Sequence, residues 1–218
     1  MKKAHLTRRD MALRWCAAAA LLAVCAWMWL PGSRTLAAAH RQAVGDFLAF
    51  PAETLCEVET DSGEWLILSQ NADAVCLGRY YKAGWLNWRC EYLWPVLERD
   101  AGRPFVAGAD RVTVEEGRGY DRRIVRHYVF GCVWDPAVET VKISFRGENS
   151  EEQISEQTVR LDVAAMERDS QGEKWFFQPM DPVKGIVSWT SSVTGYDGQG
   201  RVLGKQYVSG LGRWEDEL

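Results

Sequence analysis

The chain has 218 residues, 47% hydrophobic and 26% charged, with 19 Gly and 7 Pro, the balance of an ordinary globular protein. Disorder, collagen and low-complexity repeats are excluded, and the length suffices for one or two compact domains of roughly 100 residues each. The formal charge of −4 is unevenly spread: residues 1–40 hold six Lys/Arg and one acid, so the remainder carries 20 basic and 29 acidic groups, a net −9. A nucleic-acid role would need the opposite sign.

Lys2, Lys3, Arg8, Arg9 and Arg14 precede an uncharged apolar run that begins at Trp15 and ends at Leu30, closed by Pro31, Gly32, Ser33 and Arg34. That order predicts residues 1–35 to be a basic cytoplasmic tail and a single membrane segment, with the body outside. The 16 residues of the run reach about 24 Å as a helix, short of the roughly 30 Å hydrocarbon core, so Arg14 has to snorkel. Trp27 and Trp29 suit an interfacial belt and hence a retained anchor, whereas Ala37-Ala38-Ala39 offers a cleavage site for a removable signal. Val24 ahead of Cys25 argues against lipid attachment, and Thr7-Arg8-Arg9-Asp10 resembles a twin-arginine signal that a plain basic segment also explains.

From residue 36 to 50, Leu36, Ala37, His40, Val44, Phe47 and Leu48 recur at threes and fours up to Pro51, which predicts a helix. Next come four β-prone runs, 55–60, 64–70, 74–82 and 86–93, separated by Asp-Ser-Gly, Asn-Ala-Asp and Ala-Gly turns. With turns centred on Ser62, Ala72 and Ala83, Cys56 faces Leu68, Leu68 faces Cys76, and Cys76 faces Cys90. The even-numbered face then gathers Cys56, Val58, Leu66, Leu68, Cys76, Tyr80, Trp88 and Cys90 as core beneath the helix, and the odd face is wet. This register brings Cys76 and Cys90 within disulfide range. The alternative is that Cys56, Cys76, Cys90 and Cys132 are buried thiols acting as small apolar residues. Trp65, Ile67, Val75 and Leu77 remain on the odd face as an apolar patch, read as the seam against the second domain.

Residues 95–119 read as an irregular connector holding one or two short strands. Beyond them the runs 123–134, 140–146, 158–165, 174–178, 188–196 and 202–209 are β-rich and separated by turn clusters such as Asp135-Pro136 and the segment from Asp197 to Gly200. Six strands at this spacing predict an antiparallel sandwich of immunoglobulin type. The predicted fold is mostly β (α+β). It comprises the tail and membrane segment (1–35), a helix-covered four-stranded antiparallel meander with its connector (36–119), and an Ig-like antiparallel β-sandwich (120–218).

Three stretches carry a resemblance: Gly131-Cys132-Val133-Trp134-Asp135-Pro136-Ala137-Val138-Glu139-Thr140-Val141, the aromatic strand Trp175-Phe176-Phe177, and Val193-Thr194-Gly195-Tyr196-Asp197-Gly198-Gln199-Gly200-Arg201-Val202-Leu203. Together they resemble the C-terminal module of uncharacterised, membrane-anchored exported proteins of Gram-positive bacteria, over roughly residues 125–208. The resemblance implies an Ig-like sandwich and brings no activity with it.

No catalytic constellation is expected. His127 is the one histidine well inside the folded region and has no partner motif. Glu115-Glu116 and the group Glu148, Glu151, Glu152 and Glu156 supply carboxylates, but in expected loops where acidic runs are solvated. No Gly-rich phosphate loop opens a helix. With no C-x-x-C and only His40 and His127 beyond the N-terminal segment, no metal site and no cofactor are expected. Two features suit binding: a basic patch of Arg118, Arg122, Arg123 and Arg126, able to meet a phosphate, carboxylate or acidic polymer, and an outward Trp65. The expected function is a non-catalytic interaction or sensing module tethered to the cell membrane, its partner a protein or an envelope polymer rather than nucleic acid. A cell-envelope hydrolase, and a secreted form cleaved near Ala39, are the alternatives.

Overall fold

A computed structural model describes residues 8–29, 33–48, 52–84, 87–115, 123–149, 151–208 and 213–214. Two helices, α1 (Arg8–Trp29) and α2 (Leu36–Leu48), precede a succession of antiparallel strands. Strands β1 (Glu53–Glu59), β2 (Trp65–Gln70), β3 (Ala74–Ala83) and β4 (Asn87–Glu98) form a first sheet in sequence order. The rest are β5 (Phe105–Glu115), β6 (Ile124–Val133), β7 (Thr140–Asn149), β8 (Ile154–Asp162), β9 (Glu167–Arg168), β10 (Lys174–Pro179), β11 (Val183–Lys184), β12 (Ile186–Tyr196), β13 (Val202–Tyr207) and β14 (Arg213–Trp214). In the second sheet β6 pairs with β5 on one side and with β10 and β11 on the other, and β9 extends beyond β10. The third sheet runs β14-β13-β12-β7-β8.

The layers stack as α2, first sheet, second sheet, third sheet. Leu66, Leu68, Val75, Leu77 and Leu97 of the first sheet meet Val106, Val112, Tyr128, Phe130 and Cys132 of the second. The opposite face of the second sheet presents Phe105, Ala107, Val125, Val129, Val133 and Phe176 to Val141, Ile143, Phe145 and Val193 of the third. A central sheet buried on both faces has no polar alternation, so β5 carries the run Phe105-Val106-Ala107-Gly108-Ala109 and gives little period-2 signal. Residues expected as an irregular connector are therefore a long strand paired with β6 from Phe105↔Val133 to Glu115↔Ile124.

The meander differs from its expected register for a local reason. The first hairpin places Cys56 opposite Leu68, as the turn centred on Ser62 requires. At the second turn the Asn71 side chain accepts bonds from the backbone N–H of Asp73 (2.9 Å) and Ala74 (2.8 Å), and the turn closes half a residue later than Ala72. Leu68 thus faces Leu77, and Ser69 faces Cys76. In the third hairpin Ala83 pairs with Asn87 and Tyr80 with Cys90, so this turn closes two residues later than one centred on Ala83, and two irregularities farther along the β3–β4 ladder put Cys76 opposite Val96. The Cys76–Cys90 disulfide is thereby overturned, and all six cysteines are free thiols. Burial pushes the Cys76 thiol up to about 12, which keeps it protonated and inert.

A slip of one residue exchanges the faces of a strand. Val75 and Leu77 do form the seam against the second sheet, but Trp65 and Ile67 turn to the other side with Tyr80, Trp88 and Cys90. That side is dry too, because Ala39 and Val44 of α2 pack on Ile67, Tyr80, Cys76 and Leu93. The part of the expected wet face that carries Trp65 and Ile67 is accordingly buried, while Glu57, Glu59, Arg89 and Glu91 remain exposed.

One turn design closes several hairpins. In Asp169-Ser170-Gln171-Gly172-Glu173 and in Asp197-Gly198-Gln199-Gly200-Arg201, the leading carboxylate accepts the N–H groups two and four residues on, and the fourth position is a glycine at φ +86° or +77°. The loop that opens with Asn149 repeats the pattern, its amide oxygen accepting from Glu151 (3.0 Å) and Gln153 (2.8 Å), but Glu152 holds the glycine position at φ +61°. Glu152→Gly is expected to raise stability by about 0.5–1 kcal/mol, because a left-handed Glu is strained. Chemical denaturation of the two forms checks this, with the midpoint moving up at unchanged slope.

Helix α1 stands apart from these layers: residues 11–25 are all exposed, including Leu13, Trp15, Leu21 and Leu22. Among the described residues, no helix is long and apolar enough to cross a membrane. Beyond α1, Ser33 is fixed to β4 by two backbone bonds, Ser33 N–H to the Trp88 carbonyl (3.2 Å) and Trp88 N–H to the Ser33 carbonyl (2.7 Å).

Candidate functional site

A cleft of about 580 Å³ lies at one end of the packed second and third sheets, where the β6–β7, β8–β9 and β9–β10 connections meet. Asp135, Glu139, Asp162, Arg168, Glu173 and Lys174 line it. Five of these six charged groups are already engaged, four of them with the local backbone. Asp135 accepts from Ala137 N–H (2.9 Å) and Asp162 from Ala164 N–H (2.8 Å). The Lys174 ammonium donates to the carbonyls of Ala164 (3.0 Å) and Met166 (2.8 Å), Arg168 donates to the Gly172 carbonyl (2.7 Å), and Glu173 is ion-paired with Arg99. Glu139 alone of the six lacks such an anchor among the described contacts, so no pair of free carboxylates faces a substrate-sized space here.

Three buried polar clusters hold the layers together. His40, on α2, has its Nδ1 2.7 Å from the Tyr80 hydroxyl and its Nε2 2.7 Å from the Ser69 hydroxyl. Burial lowers its pKa, so the ring is neutral and donates one of these bonds while accepting the other. The Ser69–His40 pair has the length of a nucleophile–base couple, yet Ser69 has no exposed surface for a substrate to approach. A second cluster joins the first two sheets through Arg79, which pairs with Asp110 (3.2 Å), sits 4.7 Å over the Tyr92 ring, and lies 3.7 Å from Glu91. In the third, Gln70 donates to Asp169 and accepts from Arg99 (3.2 Å) and the Cys132 thiol (3.2 Å).

His127 is a different case. It is fully buried on the inner face of β6, its ring centroid 4.7 Å from that of Phe145 and 4.6 Å from that of Trp189, and neither ring nitrogen has a hydrogen-bond partner. Burial pushes its pKa down to about 4, helped by the charge of Arg111 opposite it on β5.

The expected binding residues are only partly described. Arg118 and Arg122 lie outside the described residues, as does Glu116; Arg123 is exposed; Arg126 is ion-paired with Asp61 at 3.1 Å. Trp65 is corrected from an outward aromatic to a half-buried one, its ring meeting that of Trp88 edge-on at 6.4 Å in the core under α2. Of the expected carboxylates, Glu156 pairs with Arg146 (3.9 Å), while Glu151 and Glu152 sit at an exposed hairpin tip.

A feature that strand-by-strand reading misses is the outward face of the third sheet. The ladders align Arg160, Lys142, Thr194 and Lys205 in one row across four strands, and Thr158, Ser144, Ser192 and Tyr207 in the next. Each strand contributes only an ordinary alternation such as Lys142-Ile143-Ser144-Phe145-Arg146, and the rows exist only once register is known. Among the described residues, no group of three or more His, Cys, Asp or Glu is placed to hold a metal ion. No family model, curated protein or solved structure matches the chain.

Proposed function

We propose that the chain is a membrane-anchored, extracytoplasmic interaction module that is non-catalytic and built on an Ig-like sandwich. The observation that carries this reading is α1, whose apolar residues from Met11 to Cys25 are exposed all round rather than gathered into a stripe. Water is a poor home for such a surface, and the basic residues Arg8, Arg9 and Arg14 at its N-terminal end favour a cytoplasmic N-terminus. A bilayer accommodates the short uncharged run by thinning locally or by letting Arg14 snorkel. The strand order supports the Ig-like assignment: β5-β6-β10-β9 corresponds to A-B-E-D, and β8-β7-β12-β13 to C′-C-F-G. The proposed kinship with membrane-anchored exported proteins of Gram-positive bacteria rests on the turn and core motifs around Asp135-Pro136 and Asp197 to Gly200. The engaged side chains of the large cleft favour a binder over a cell-envelope hydrolase.

Membrane fractionation with mass spectrometry of the mature N-terminus tests the reading. The expected result is α1 retained, uncleaved, in the membrane pellet. A soluble form beginning at His40 would overturn the anchor and leave a secreted protein.

A further inference from the structure

We propose that the outward face of the third sheet is a binding surface for an anionic polysaccharide, a partner chemistry that rests on the extracytoplasmic reading above. The inner layers cover one another, and among the described residues this is the sheet face that no other layer packs on. Its cation row places Arg160 and Lys142 on neighbouring strands, about 5 Å apart at the backbone, and Lys205 two strands beyond Lys142, at about 10 Å. Neither Lys142 nor Arg160 makes a hydrogen bond or ion pair among the described residues, whereas Lys205 donates to the Tyr207 hydroxyl (2.8 Å) and lies over its ring. The acids nearby are engaged: Glu156 by Arg146 (3.9 Å), Glu148 by the Ser188 hydroxyl (3.5 Å), and Asp162 by the Ala164 N–H (2.8 Å).

Two unpaired cations on a body of net −9 stand against the prevailing field, which makes them sites for an incoming anion. The adjoining row is made of hydroxyls, Thr158, Ser144, Ser192 and Tyr207, around a shallow depression of about 260 Å³. A protein partner would want an apolar or aromatic centre to desolvate, and Tyr207 is the single ring in these two rows. A hydrated chain that bears a carboxylate or phosphate on successive sugars meets the cation row with its charges and the hydroxyl row with its own hydroxyls.

The test uses the full chain in detergent and immobilised polygalacturonate as probe. Binding is expected, weakening as salt is raised, and the pair Lys142→Gln/Arg160→Gln is expected to lose about tenfold in affinity with an unchanged thermal midpoint. The control pair Lys82→Gln/Lys184→Gln removes the same charge from exposed positions on other sheets and is expected to bind as the parent does. No binding, equal loss in the control pair, or equal binding to polyglutamate would overturn the proposal, the last by pointing to an acidic peptide. Because the measurement is made in detergent, it is independent of anchoring: an unanchored chain that binds would sink the membrane reading and leave this surface standing.

Discussion

Acidification from pH 7 to pH 4 is expected to cost the protein about 3 kcal/mol of stability through His127 alone, and His127→Phe is expected to remove that loss. The imidazole is enclosed by Phe145 and Trp189 with both nitrogens unpaired, so it can stay buried only while neutral. Its folded pKa of about 4 lies below the ordinary 6.5. Between those values the unfolded chain takes up a proton that the folded chain refuses, so stability is full above about pH 6.5 and falls as pH drops toward 4. Denaturant titrations of parent and His127→Phe at pH 7, 5.5 and 4 give the comparison. Parallel loss in both proteins would show that the acid response originates elsewhere. His40 contributes in the same direction, since burial lowers its pKa too, and sets the residual slope expected in the variant.

Gly131→Ala is expected to cost about 3 kcal/mol or more, on the order of 10 °C in midpoint for a chain of this size. Gly131 lies in the middle strand of the central sheet, opposite Ala107 on β5 and Phe176 on β10. A methyl group there would overlap the Val106 carbonyl and stand 2.8 Å from Cζ of Phe176, and neither neighbour has room to retreat between two packed layers. Gly45→Ala on α2 is the matching control, with nothing within 4 Å of the added carbon, and should gain up to about 1 kcal/mol. Equal effects at the two positions would show that the central sheet is more yielding than its packing implies.

How much of the fold is legible in the sequence depends on how many faces each element buries. The long strands β6, β7, β10, β12 and β13 are readable where period 2 or flanking turn residues mark them, and the Ser62 turn sets its register correctly. β5 escapes because small residues buried on both faces leave no alternation, and β9, β11 and β14 because a strand of two residues has no period. The second turn shows how little separates a right from a wrong site. Half a residue of turn position, set where the Asn71 side chain holds the second turn, brings Val75 and Leu77 to the side of Leu66 and Leu68 and leaves Trp65 and Ile67 with Tyr80 under α2, while a later closing of the third hairpin separates Cys76 from Cys90. Arg126 shows another limit: it finds Asp61, a partner in the β1–β2 turn that no local pattern announces.

The two bonds between Ser33 and Trp88 give the molecule a short leash. With α1 in a bilayer, only residues 30–32 separate Trp29 from a residue locked onto β4, a reach of about 14 Å when fully drawn out. The body beyond it, residues 33–218, has an expected radius of gyration of about 16 Å. The tether is thus no longer than the body's own radius, so the proposed anchoring would hold the body close to the lipid, free to swivel but not to search the space above. Whatever it captures would have to come down to the membrane surface to be met.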